Sequence, residues 1–164
     1  MTTDPAERAR GLTHVRPDGT AHMVDVSAKA VTARQASAAG RVLLSAAAVA
    51  ALRDGTVPKG DALAVARIAG IAAAKRTPEL VPLCHPVAIH GVVVELDTTA
   101  DSVLISATVR TADRTGVEME ALTCVTTAGL ALYDMVKAVD RGAVLTDVRL
   151  EHKAGGRRGE WQRA

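Results

Sequence analysis

Asp134 and Lys137 stand three residues apart in a segment, 116–140, whose apolar residues recur at helical spacing. A carboxylate and an ammonium at i and i+3 share one helix face and set each other's pKa, an arrangement suited to proton transfer. Glu120, Thr123 and Thr127 extend this polar stripe at steps of three, four and seven, while Val117, Leu122, Val125, Leu132, Val136 and Val139 form the apolar one. Polar stripes are ordinarily solvated faces, but so few charges over this length do not describe a helix exposed along one side. If the helix is continuous, Glu120 and Asp134 are separated by ~21 Å of axial rise, too far to touch one reacting centre. Either Glu118 and Glu120 lie in a loop that folds back, or the two ends serve one site from different chains, as two such helices laid antiparallel about a twofold axis would allow.

Other candidates lie in punctuated segments. Prolines at 78, 82 and 86 make a stiff connector that displays Cys84 and His85. With only His90 nearby, inside a β-rich run, these two residues make no recognised metal-ligand spacing; a histidine on a proline-bounded loop is commonly structural, and His85 is also a convenient proton carrier. Lys59 precedes the helix cap Asp61 by two residues, where an ammonium can meet a phosphate or move a proton. The tail 153–159, KAGGRRG, is either a disordered basic end or a flexible grip for phosphate. P-loop and dinucleotide-binding glycine patterns are absent.

The elements that must position these residues follow from the pattern. Residues 1–23 are polar and irregular and read as a mobile arm. An extended segment from Val24 runs into a strand near 31–44, Ser45 caps a helix to Arg53, and Asp61 caps a second helix through about Lys75. In that second helix Ala66, Gly70 and Ala74 recur every four residues, a stripe that lets another backbone come close. Strands near 88–97 and 102–111 form a hairpin, the 116–140 helix follows, and a strand at 144–150 precedes a flexible basic tail, 154–164. Strand, helices, two strands, helix, strand is the order of an α+β fold with one antiparallel sheet and helices on one face, a single domain over 24–153.

Composition narrows the classes. In 164 residues there are 32 Ala and 21 Val but no Phe, one Trp and one Tyr, so the core needs closely approaching backbones. A recognition sheet for RNA needs aromatic platforms this chain lacks, and a net charge of +2 is no field for nonspecific nucleic-acid binding. No apolar run suggests a membrane span or a secretory signal, and two Cys are too few for a disulfide framework, so a cytoplasmic protein is expected. Fifteen Arg stand against five Lys, and each retained Lys therefore invites a functional reason.

The runs AHMVDVSAKAVTARQA (21–36), KGDALAVARIAGIAAAKRTPELVPLCHPV (59–87), TGVEMEALTCVTTAGLALYDMVKAVDR (115–141) and VRLEHKAGG (148–156) closely resemble the cyclic pyranopterin monophosphate synthases, the MoaC family of molybdenum cofactor biosynthesis. The resemblance extends from about Leu12 to Gly159, and PLCHP, GVEMEALT and YDM-x-KAV are specific in this order and spacing. It implies a ferredoxin-like fold and a homo-hexamer of three dimers with sites at the dimer interfaces. The implied reaction converts (8S)-3′,8-cyclo-7,8-dihydroguanosine 5′-triphosphate to cyclic pyranopterin monophosphate and diphosphate, a phosphorus–oxygen lyase reaction run by general acid/base catalysis.

By motif, Asp134 is similar to the family's catalytic acid/base, with Lys137 beside it and Lys59 and His85 also catalytic. Leu83, Cys84, His85, Glu118, Met119, Glu120 and Lys153 match substrate-binding positions. No cofactor is required; Mg²⁺ can accompany the substrate's triphosphate, and no residue set encodes a dedicated metal site. Where many relatives carry SGGKSG, this chain has AGGRRG (154–159), keeping the charge and losing two hydroxyls. The alternative is a non-catalytic regulatory paralogue of the same fold that binds the nucleotide or pterin without turnover.

Overall fold

The computed structural model describes residues 14–16, 18–157 and 159–164; the first part of the expected arm, 1–13, lies outside them, as do residues 17 and 158. In chain order the elements are β1 (Thr32–Leu43), α1 (Ala46–Arg53), α2 (Ala62–Ala74), α3 (Thr77–Leu80), β2 (Ile89–Thr98), β3 (Ser102–Asp113), α4 (Glu118–Val136), β4 (Val144–Ala154) and β5 (Trp161–Gln162). The strands form one antiparallel sheet in the order β2-β3-β1-β4-β5. With α2 and α4 packed together against it, the first four strands have the ferredoxin-like α+β arrangement expected from the element order.

Local chemistry explains the boundaries. Ser45 Oγ accepts the Ala48 N–H and Asp61 Oδ1 the Ala64 N–H, so both expected N-caps are made. Ala36, Ala38, Gly40 and Val42 fill the inward phase of β1, opposite Val109, Ala107, Ile105 and Val103 of β3. Against them lies the apolar stripe of α4: Ala121, Cys124, Val125, Ala128 and Leu132 are wholly buried. The small-residue stripe of α2 meets this helix, and a Cβ on Gly70 would stand 2.9 Å from the Cys124 carbonyl oxygen. Burial drives the Cys124 thiol pKa up to about 12, which makes this cysteine a packing group.

Four expectations differ from what forms. The long helix spans 118–136 rather than 116–140, because Gly116 and Val117 stay outside it and Lys137 is its C-cap. Thr77–Leu80 makes one helical turn where a stiff connector was expected; Pro78 is tolerated because a helix's first residues need no intrahelical N–H bond. The segment after Val24 is not extended throughout but turns at 26–29, with Ser27 N–H donating to Asp25 Oδ1. Beyond Ala154 the chain is not a loose tail: it reverses at Gly155 and Gly156, both at positive φ, and returns as β5 beside β4. His152 and Glu160 meet at 2.8 Å and Arg163 donates to the Leu150 carbonyl, partners that a Gly- and Arg-rich composition does not reveal. The described end of the N-terminal arm closes on itself through a Val15–Ala21 bridge.

Candidate active site

The inward phase of the sheet becomes charged at one end. Arg34 continues the Ala36–Ala38–Gly40 row of β1, and Lys153 pairs with Ala36 from β4. The N-terminus of α4 points into the same end, with no side-chain cap of its own and with Glu118 and Glu120 in its first turn. The Glu118 carboxylate folds back over Gly116, into the space a Cβ there would take. A cavity of about 840 Å³ opens between these elements and the proline-rich connector.

All seven residues matched to substrate-binding positions line this cavity: Leu83, Cys84 and His85 from the connector, Glu118, Met119 and Glu120 from α4, and Lys153 from β4. His85 Nε2 lies 2.6 Å from the Val24 carbonyl oxygen, tying the connector to the N-terminal segment. Lys153 Nζ approaches Glu118 Oε1 at 3.6 Å. Glu120 is only 3% exposed, and burial, with the negative Glu118 adding to it, raises its pKa to about 7. The Cys84 thiol is also pushed up, by burial first and then by Glu120. The cavity therefore holds a carboxyl group able to exchange a proton near neutrality beside a cationic wall.

The other candidates lie elsewhere. Asp134, in the last turn of α4, accepts from Lys59 Nζ at 2.6 Å and Lys137 Nζ at 2.7 Å. Hydrogen bonds from Lys137 and then Lys59 lower the Asp134 pKa to about 2, and Asp134 in return raises that of Lys137. Lys59 reaches this position from the turn closed by Gly60 at φ +94°, immediately before α2. At this end of α4 Asp140 Oδ2 accepts the Ser45 N–H at 2.6 Å, fixing the helix exit against the α1 cap. None of Lys59, Asp134 and Lys137 lines the cavity. The helix between Glu120 and Asp134 is unbroken, so the option of a loop folding back around Glu120 is excluded, and ~21 Å of rise separates the two clusters.

Sequence reasoning missed Arg34 and Arg114, which also line the cavity. Arg34 could have been found, since it is the one charged residue on a strand phase otherwise filled by small and apolar side chains from Ala36 to Val42.

The MoaC family matches residues 23–156, from the N-terminal segment through the Gly155–Gly156 turn. The chain belongs to the MoaC family. A cyclic pyranopterin monophosphate synthase of Streptomyces coelicolor is 61% identical over 161 residues, covering 98% of this chain and 93% of that protein. One from a Nocardioides species is 61% identical over 161 residues, 96% of this chain and 99% of its own. In Mycobacterium tuberculosis a protein named cyclic pyranopterin monophosphate synthase 2 is 56% identical over 156 residues, 95% of this chain and 93% of its own. The MoaC match spans both charged clusters and both ends of the helix that separates them.

Proposed function

We propose that this chain is a lyase that converts (8S)-3′,8-cyclo-7,8-dihydroguanosine 5′-triphosphate to cyclic pyranopterin monophosphate, the product after which its relatives are named, and diphosphate. The observation that carries this reading is the sorting of the family-motif residues into two clusters at the two ends of α4: a cavity with a cationic wall, and a hydrogen-bonded Lys–Asp–Lys triad.

Opening the imidazole-derived ring and closing a pterin is a chain of proton transfers, which needs groups that give protons and groups that take them. The triad offers both in turn: Lys59 and Lys137 hold protons to donate, and Asp134, kept at a pKa of about 2 by those two hydrogen bonds, becomes an acceptor once a lysine has given its proton up. His85 and Glu120 add proton carriers on the cavity side. Formation of the cyclic phosphate expels diphosphate, and Lys153 in the cavity wall can stabilise the charge that develops on it. Because the clusters stand ~21 Å apart in one chain, a complete site takes the cavity of one protomer and the triad of another. The family resemblance implies a homo-hexamer of three dimers with sites at the dimer interfaces, and a site shared by two chains fits that assembly. The reading needs no resident cofactor, and Mg²⁺ would arrive on the triphosphate as part of the substrate. It takes the cytoplasm as the compartment, where nucleoside triphosphate derivatives are available; no helix among the described residues is long and apolar enough to cross a membrane.

Incubating the purified protein with the cyclised substrate, and following pterin product and released diphosphate, tests the reading. Both products should form with turnover. Tight binding without product would establish the non-catalytic, nucleotide-binding role instead.

A further inference from the structure

Arg34 is a guanidinium in a place where the strand otherwise buries small and apolar side chains. Its Nε donates to the Asp113 carbonyl at 2.8 Å and its Nη2 to the Arg114 carbonyl at 3.0 Å. Both acceptors belong to the point where β3 ends and the loop 114–117 leads into α4. The remaining nitrogen, Nη1, lies against Gly156, so closely that a Cβ there would collide with it. Gly155 is pressed in the same way onto the Ala33 carbonyl. Arg114 passes the connection on, donating from Nε to the Lys29 carbonyl at 3.1 Å. One side chain of β1 thus touches the backbone leading to Glu118, Met119 and Glu120 and the turn that follows Lys153.

We propose that Arg34 is a positioning residue of the substrate cavity, holding the β3–α4 loop and the Gly155–Gly156 turn in register so that the first turn of α4 and Lys153 keep their places in its wall, where Lys153 approaches Glu118. This rests on the proposed function for its kinetic consequences only. The geometry asks for arginine: a planar fork spans two successive carbonyl oxygens, whereas an ammonium is a point donor that meets one of them. Looseness of about an ångström at a reacting centre costs on the order of a hundredfold in rate. Glu120 reports on the register, since its burial depends on where the first turn of α4 sits. Burial and the neighbouring Glu118 set its environment; Cys84 and His85 on the connector, Arg34 on β1, Arg114 on the loop and Lys153 on β4 line the same cavity.

Arg34→Lys keeps the charge and loses the fork; Arg34→Gln loses both. Holding the loop predicts that the two fall together in kcat/KM, by about ten- to a hundredfold, and that the pH-rate limb belonging to Glu120 moves from near 7 towards the ordinary carboxylate range as water reaches it. Gly156→Ala, which keeps Arg34 but displaces its guanidinium and also strains the turn at its positive φ, should be at least as impaired as Arg34→Lys, and the double variant no worse than Gly156→Ala alone. Arg34→Lys activity within about threefold of wild type, with Arg34→Gln lost, would mean that the charge meets the substrate directly and would overturn the proposal. Amide hydrogen exchange gives a readout free of turnover: residues 113–120 and 153–157 should exchange faster in both Arg34→Lys and Gly156→Ala, with α2 unchanged. Unaltered exchange in those segments overturns the role of Arg34 whether or not the wild type makes pterin. Absence of pterin from the wild type counts against the proposed function alone.

Discussion

Lys59 Nζ and Asp134 Oδ2 meet at 2.6 Å across 75 residues of sequence, joining the turn before α2 to the last turn of α4. The same carboxylate takes Lys137 on its other oxygen. All three side chains are well exposed in the single chain, and exposed ion pairs add little to stability. Their assembly is therefore better explained by chemistry than by folding. Asp134→Asn and Lys137→Ala should each reduce pterin formation by orders of magnitude while leaving the melting temperature and the native mass of the assembly unchanged. Near-normal turnover in both would remove the triad from the mechanism. Because the Asp134 pKa is held at about 2, any contribution it makes to stability is present above its ordinary value and lost only as pH falls through about 2. No activity limb between pH 5 and 9 should disappear in Asp134→Glu.

Glu120 behaves in the opposite sense. Its folded-state pKa, about 7, lies above the ordinary 4.5, so between those values the folded chain holds a proton that the unfolded chain has released. Stability from this group is full below pH 4.5 and falls as pH rises through 7. Thermal melts of wild type and Glu120→Gln across this window should diverge, with the wild type declining relative to the amide variant. Parallel curves would show that Glu120 ionises as an ordinary, solvated carboxyl group.

The close approach of α2 and α4 can be tested by volume. Gly70→Val places its first carbon 2.9 Å from the Cys124 carbonyl and 3.1 Å from its Sγ, in a contact with backbone on one side. Overpacking of this kind costs about 1–3 kcal/mol, to be read as a lower urea midpoint at unchanged slope. An unchanged midpoint would mean that the two helices can separate without loss.

These residues also show where sequence reading succeeds and where it stops. The caps Ser45 and Asp61, the hairpin between β2 and β3 and the small stripe of α2 are local in their causes, so spacing and residue type suffice. The end-to-end distance along α4 is equally legible, because helical rise is fixed. The bond from Lys59 to Asp134 is not, since nothing local brings residues 75 apart together. The motif resemblance grouped them, without any distance. The return of β5 was hidden for the same reason: His152–Glu160 and the Arg163 bond to Leu150 form only once β4 exists. Arg34 was open to detection from strand alternation, but its carbonyl partners on β3 were not.

The separation of Glu120 from Asp134 carries the last prediction. With α4 unbroken between them, one reacting centre served by both must draw on two chains. Glu120→Ala and Asp134→Asn chains, each inactive alone, are mixed in equal amounts under conditions that let subunits exchange. A mixed dimer gathers both lesions into one of its two sites and leaves the other intact. Random pairing makes about half of the dimers mixed, so activity should return to roughly a quarter of the wild-type level. A site completed within one chain predicts no recovery, because every site then carries one lesion. The same mixture without exchange is the control and should stay inactive. If exchange is verified by native mass and activity still does not return, the two clusters do not serve a common centre, and the triad at the C-terminal end of α4 needs another explanation.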